Sequence, residues 1–298
     1  MFVLRRLPAA GPGVSGMESA NGLLYLCATP IGNLADITLR ALQILREADL
    51  VAAEDTRRTR RLLSHYDIHT PLVSYHEHNR RRQGEYLLER LAAGDTVALV
   101  SDAGTPGISD PGVELVREAV ALGIPVTTLP GPSALLAALV VSGLAVERFV
   151  FEGFLPAKGA DRNRRLAALA GETRTIVLYE APHRLLKTLA DLTVNLGERR
   201  ACAARELTKL HEELLRDTLT GLQEHFTRQP PRGEFVLVIE GAGAASGAEA
   251  EEWAGLPLED HVRLLMAEGL AKNEAIKKIA RLRNLPRQEL YKKIHVPE

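Results

Sequence analysis

The sequence predicts an α/β protein of two domains followed by a small helical module, and three observations carry that prediction. The chain has 298 residues, long for a single hydrophobic core. From Leu23 onward, short β-rich runs alternate with stretches of helical period. Two breaks interrupt the alternation: Pro130-Gly131-Pro132, and the small-residue run GAGAASGAEA at Gly241–Ala250.

Taken in order, residues 1–21 read as a disordered extension, because Gly11, Pro12, Gly13 and Ser15 break the segment and no apolar run follows Arg5 and Arg6. Strands are expected at Leu23–Ala28, Leu50–Ala53, Thr96–Val100 and Pro125–Leu129. Helices are expected at Ile37–Ala48, Arg58–Tyr66, Gln83–Ala92 and Gly112–Leu122. Strands separated by helices imply right-handed crossovers and a largely parallel sheet, giving a first domain over residues 22–129. After the Pro-Gly-Pro break, helices at Ser133–Val141, Asp161–Leu169 and His183–Val194 alternate with strands at Phe149–Glu152, Thr175–Tyr179, Arg200–Arg205 and Glu234–Glu240. Pro182 falls where the first turn of a helix tolerates it. These form a second domain over residues 130–242. Residues 250–298 read as a basic helical module of three short helices, Leu258–Glu268, Lys272–Arg283 and Arg287–Ile294. Between Ala271 and Lys293 eight Lys and Arg residues face two Glu, a net of +6; clustered cations suit RNA phosphate.

Composition narrows the function classes. Hydrophobic residues make up 46% and charged residues 25%, ordinary globular values. No apolar run approaches the ~20 residues a bilayer crossing needs, so no membrane role is expected. Cys27 and Cys202 are the sole cysteines, each within a strand pattern, which fits a reducing, cytoplasmic setting without a disulfide scaffold. No Cys/His cluster stands at metal-ligand spacing, so no metal is expected. Net charge is −1, so any nucleic-acid binding must come from local basic patches. Gly11–Gly16 matches a dinucleotide-binding expression, but no strand precedes it, and it is set aside.

Three loops follow strand ends, where open α/β sheets hold ligands. Ala28–Asp36 contains Gly32 and Asn33, which permit positive φ, and Asp36, which can cap the next helix. Ser101–Gly112 (SDAGTPGISDPG) is too long and too rich in Gly, Pro and Asp for a simple connection, although Asp110 could cap the helix after it. Pro130–Ala134 presents Ser133, either as a cap or toward a cofactor.

ATPIGNLADIT, AAEDTRRTRRLL, LVSDAGTPGISDPG, PGPSA, YEAPHR and ARELTKLHEE, in this order and spacing, resemble the ribosomal RNA small subunit methyltransferase I family over residues 22–242. That family lies within the tetrapyrrole-methylase-like class III methyltransferases and methylates the 2′-hydroxyl of a cytidine in 16S rRNA. The resemblance implies two α/β domains with S-adenosylmethionine in the cleft between them, usually in a homodimer, acting on 16S rRNA or the small ribosomal subunit. It places Asp102, Gly104, Thr105 and Ile108 of the second loop at the cofactor, with Ser133 and Ala134 beside them and Tyr179 approaching from the second domain. The first loop departs from the superfamily's glycine-rich pattern, leaving Pro30 as a wall of the site.

Methyl transfer to oxygen is an in-line displacement that needs alignment and removal of one proton. Candidate catalytic residues are Glu54, Asp55, Glu180 and Lys209, the last as a partner for a developing alkoxide. His76, His78, His183 and Glu206 are weaker candidates, and helix capping by Asp55 or Thr56 is the alternative for the Glu54-Asp55-Thr56-Arg57 element. Arg57, Arg58, Arg60, Arg61 and Arg184 are expected to contact RNA, with Arg80, Arg81 and Arg82 as a further cationic rim. Buried structural bridges remain an alternative for arginines paired with carboxylates. A small-molecule acceptor and a non-enzymatic ribosome-binding role are the competing functions; the arginine-rich EDTRRTRR segment disfavours the former.

Overall fold

The computed structural model describes residues 22–243, 256–267 and 270–282. The predicted N-terminal extension, the helix at 287–294 and much of the basic tail lie outside the described residues. The chain divides into two compact units, one ending at Ser133 and the other beginning at Ala134.

The first unit is built on β1 (Leu23–Cys27), β2 (Leu50–Ala53), β3 (Leu72–Ser74), β4 (Thr96–Val100) and β5 (Val126–Leu129). They form one sheet in the order β3-β2-β4-β1-β5, with every pairing parallel. Its three central strands, β1, β2 and β4, are apolar on both faces, as a sheet covered on both sides requires. Tyr25, Cys27, Val51, Ala53, Ala98 and Val100 join one core with Ala41, Leu42 and Leu45 of α1 (Leu39–Glu47) and Leu62 and Leu63 of α2 (Thr56–His65). Leu24, Leu50, Ala52, Val97 and Leu99 join the other, with Leu87 and Leu91 of α3 (Arg80–Ala92) and Leu115 of α4 (Val113–Ala121). Strict alternation between the two cores fixes the register, because a one-residue slip would exchange every side chain's face.

The register also aligns the strand ends. Ala53 pairs with Val100, Val100 with Cys27, and Cys27 with Leu129. The loops after β1, β2, β4 and β5 therefore emerge along one edge. From adjacent β2 and β4 the chain departs in opposite directions, to α2 in one core and α4 in the other. That divergence is the topological switch point at which α/β sheets open a crevice.

The second unit differs from the first in strand direction. β6 (Phe149–Phe154), β7 (Thr175–Glu180), β8 (Arg200–Arg205), β9 (Glu213–Thr218) and β10 (Phe235–Ile239) take the order β6-β7-β10-β8-β9. Only β6 and β7 run parallel; β10, β8 and β9 pair antiparallel. Leu166 and Leu169 of α6 (Gly159–Ala170), Leu185, Leu189 and Leu192 of α7 (Pro182–Leu196) and Leu222 and Phe226 of α8 (Leu219–Arg228) cover one face. Each such buried leucine contributes ~1.5–3 kcal/mol. α5 (Ala134–Val141) contacts β7 and β10. α9 (Leu258–Ala267) and α10 (Lys272–Leu282) close on a small core of Val262, Leu265, Ala275, Ile276 and Ile279.

Several local expectations are corrected. β3, β9 and α8 were not foreseen; β3 is three residues long, and β9 (ELLRDT) is too polar to read as a strand until it pairs with β8. Asp36 does not cap α1: Thr38 does, its hydroxyl accepting from the Ala41 amide, while Asn33 caps the short 3-10 turn Leu34–Asp36. Asn33 has φ −97°, and Gly32 is not among the described residues with positive φ. Asp110 does not cap α4, whose N-cap position is Gly112, with φ +135° and no side-chain cap.

Candidate active site

The crevice edge of the first unit is assembled from three loops that hydrogen-bond to one another. The Thr29 amide donates to the Gly104 carbonyl at 2.8 Å, and the Gly104 amide returns to the Thr29 carbonyl at 3.0 Å. The Thr29 hydroxyl also donates to the Ser101 carbonyl at 3.1 Å, and the Thr105 hydroxyl reaches the Pro132 carbonyl at 3.4 Å. Gly104 takes φ +82°, a conformation glycine adopts without steric penalty. A Cβ on Gly131 would lie 2.9 Å from the Ala28 Cβ, so the β5 loop approaches the β1 end as closely as backbone allows.

Asp102 braces the β2–β4 boundary. Its Oδ1 accepts the Asp55 amide at 2.9 Å, and its Oδ2 lies 3.3 Å from the Arg58 guanidinium. Pro30, Arg58, Arg61, Ser101 and Asp102 line a cleft of about 160 Å³. Glu54 faces a larger cavity of about 450 Å³, shared with Tyr75, Arg80, Asp110 and Glu114. Burial raises the Glu54 carboxyl above its ordinary value, and the Asp102 carboxylate adds to the shift. Burial pushes Asp110 further, to about 7, with Glu54 and Asp102 contributing and a hydrogen bond with Ser101 opposing. The sequence offers Asp110 only a helix-capping role. Its signal was the density of Asp and Gly in SDAGTPGISDPG, but only folding brings it near Glu54.

The remaining expected residues fall into distinct settings. Asp55 caps α2 through the Arg57 amide at 2.8 Å and grips the Arg57 guanidinium at 2.9 and 3.1 Å. Those contacts, the side-chain hydrogen bond first, lower its carboxyl to about 2 and make it a poor proton acceptor. Capping is thus its geometric role, and Arg57 is committed to the same turn. Arg60 and Arg61 stand exposed on α2, opposite buried Thr59, Leu62 and Leu63. Ile108 is exposed, and Ser133 precedes α5, which Ala134 opens.

In the second unit, Glu180 is 2% exposed and accepts from the Ala181 amide at 2.9 Å and the Thr188 hydroxyl at 2.5 Å. Arg184 lies 3.4 Å from Glu180 and donates to the Leu155 carbonyl at 2.5 Å. Thr188 in turn accepts from buried Arg162, which donates to Asp191 at 2.8 Å. This network ties β7, α6 and α7 together, so Glu180 and Arg184 occupy structural positions. Lys209 donates to Glu206 at 2.9 Å and Glu234 at 2.8 Å. Burial alone would lower its ammonium, but the Glu234 and Glu206 contacts outweigh that and raise it. Two carboxylates already neutralise the charge expected to meet an alkoxide. Tyr179 packs edge-on against Phe151 and Phe154.

The tetrapyrrole (corrin/porphyrin) methylase family model matches residues 23–223. The chain is 53% identical over 271 residues to ribosomal RNA small subunit methyltransferase I of Synechocystis, covering 91% of this chain and 96% of that one. The Bacillus subtilis protein of that name is 44% identical over 282 residues, covering 94% and 97%. Among solved structures, the cobalamin-biosynthetic cobalt precorrin-4 methyltransferase aligns with TM-score 0.58 at 18% identity, covering 76% of this chain and 98% of that one. Uroporphyrin-III C-methyltransferase of Thermus thermophilus, complexed with S-adenosyl homocysteine, aligns with TM-score 0.54 at 21% identity, covering 74% and 97%. At those identities the likeness shows the fold.

Proposed function

The chain belongs to the ribosomal RNA small subunit methyltransferase I family of tetrapyrrole methylases, and on that basis we propose that it transfers a methyl group from S-adenosylmethionine to the 2′-hydroxyl of a cytidine ribose in 16S rRNA. The observation that carries this reading is the switch-point crevice, which combines close backbone at Thr29, Gly104 and Gly131 with the electrostatically coupled carboxylates Glu54, Asp102 and Asp110. Its chemistry fits the cofactor. Carboxylates suit a sulfonium and an ammonium, while Arg58 and Arg61 beside Pro30 suit a carboxylate. Asp102, Gly104 and Thr105, with Ile108 and the adjoining Ser133 and Ala134, are the proposed holders.

When bound, the cofactor supplies an electrophilic methyl on a positively charged sulfur. The chain's own residues must then orient the ribose oxygen and receive its proton. Glu54 and Asp110 are the proton-accepting candidates, because burial raises both carboxyls above their ordinary values, with Asp102 adding to the first and Glu54 and Asp102 to the second. Positioning is the larger contribution: holding reactants in near-attack geometry supplies ~7–11 kcal/mol. Arg60 and Arg61, with Arg58 at the crevice, form the proposed phosphate-facing set; a homodimer in the cytoplasm completes the reading. Among the described residues, no helix is long and apolar enough to cross a membrane.

The test is ribose-methylation mapping of small-subunit rRNA after incubation with the protein and labelled S-adenosylmethionine. A new 2′-O-methylcytidine is expected; methylation on a base alone, or none, would overturn the proposal. Asp102→Ala should weaken cofactor binding measured by calorimetry.

A further inference from the structure

β6 pairs with β7 through Phe149↔Thr175, Val150↔Ile176 and Phe151↔Val177, then resumes at Gly153↔Leu178 and Phe154↔Tyr179. Glu152 is the extra residue of a β-bulge, and Gly153 beside it takes φ +62°. Bulges re-aim side chains and interrupt alternation. Regular alternation would place Phe151 and Phe154 on opposite faces. The extra residue instead puts both rings on the face of Tyr179, with centroid distances of 4.9 and 5.7 Å.

Two unlike surfaces result. Phe154 is 53% exposed, a large aromatic ring braced from behind by Tyr179. The Glu152 side chain is 4% exposed and its Oε2 is held by the Arg165 guanidinium. Both line a cavity of about 400 Å³ at the β6 edge, with Pro156, Arg164 and Arg165 around them. A carboxylate offers about four acceptor positions, so one ion pair fixes Glu152 without exhausting it. An aromatic wall beside a fixed, acceptor-only group suits a flat ring that carries an amine, while Arg165 is paired with Glu152 and Arg164 with Asp161, which also lines the cavity.

We propose that this cavity receives an amino-bearing nucleobase, stacked on Phe154 with its exocyclic amine donating to Glu152. The inference rests on the proposed ribose methylation, in which the cytosine of the acceptor nucleotide is that base. A carboxylate accepts from the cytosine N4 amine and repels the uracil O4, so the pocket selects cytidine. The adenine of the cofactor carries the same chemistry, and the experiment separates the two sources.

Short labelled oligocytidine and oligouridine are titrated with the full chain by fluorescence anisotropy at fixed salt. The wild type is expected to prefer oligocytidine by about tenfold or more, the scale of one good base-edge contact. In Glu152→Gln, whose amide can donate as well as accept, the ratio should fall to within about twofold, while calorimetric affinity for S-adenosylhomocysteine stays unchanged. Phe154→Leu, at an exposed position, should weaken both oligonucleotides and keep their ratio. Absence of a cytidine preference in the wild type overturns the inference, and that result does not depend on how either variant folds. A ratio unchanged in Glu152→Gln also overturns it; if S-adenosylhomocysteine binding falls instead, the base is adenine. Methylation of rRNA without the preference removes the pocket alone, whereas the preference without methylation removes the proposed function alone.

Discussion

Replacing Asp110 by Asn is expected to stabilise the chain at alkaline pH and to leave it nearly unchanged in acid. Burial first, then Glu54 and Asp102, raises the Asp110 carboxyl from 3.8 to about 7. A shift of about three units corresponds to ~4 kcal/mol at 1.36 kcal/mol per unit. Asp110 is half-buried and lines an open cavity, so solvent screening reduces this to about 1–2 kcal/mol. The folded chain binds this proton more tightly than the unfolded chain does. Below the unfolded value both states are protonated and the group contributes nothing; stability then falls as pH rises from about 4 to about 7, and the full penalty remains above that. Asn is neutral throughout and retains an acceptor for Ser101. Urea unfolding of both proteins, followed by circular dichroism at about pH 8 and about pH 4, isolates the effect as a difference of differences. Equal stabilisation at both pH values, or a loss at the higher one, would refute the argument.

Other substitutions probe the remaining elements. Gly131→Ala drives a Cβ to 2.9 Å from the Ala28 Cβ and should cost about 1–3 kcal/mol in urea unfolding, whereas Gly171→Ala, with nothing within 4 Å, should be tolerated. Asp191→Ala strips the Nε partner from Arg162, whose side chain is 3% exposed, and should destabilise by about 3 kcal/mol in the same measurement. Arg60→Ala, exposed on α2 and outside the Pro30 cleft, should lower the slope of log affinity for RNA against log salt by about one, leaving cofactor affinity unchanged in calorimetry.

Much of the first unit was legible because its information is local. Strands buried on both faces read as apolar runs, and helices between them imply parallel crossovers, so β1, β2, β4 and β5 and their loops were placed from the chain alone. β3 and β9 escaped because three residues, or a polar hexamer, carry no period of their own. The arginine–carboxylate motifs show the same limit. EDTR, EAPHR and RELTK look alike as text, yet Asp55 caps a helix, Glu180 anchors a buried network, and Lys209 joins two carboxylates.

Residue types and spacing determined which loops carry chemistry, because Gly, Pro and Asp restrict backbone and hydrogen bonding wherever they stand. Tertiary structure alone decided what each charged group does. A carboxylate's proton affinity depends on solvent and neighbours distant along the chain, as Asp110 depends on Glu54. It also decided the direction of the second sheet and the bulge at Glu152, since strand pairing is a relation between segments and no single segment encodes its partner.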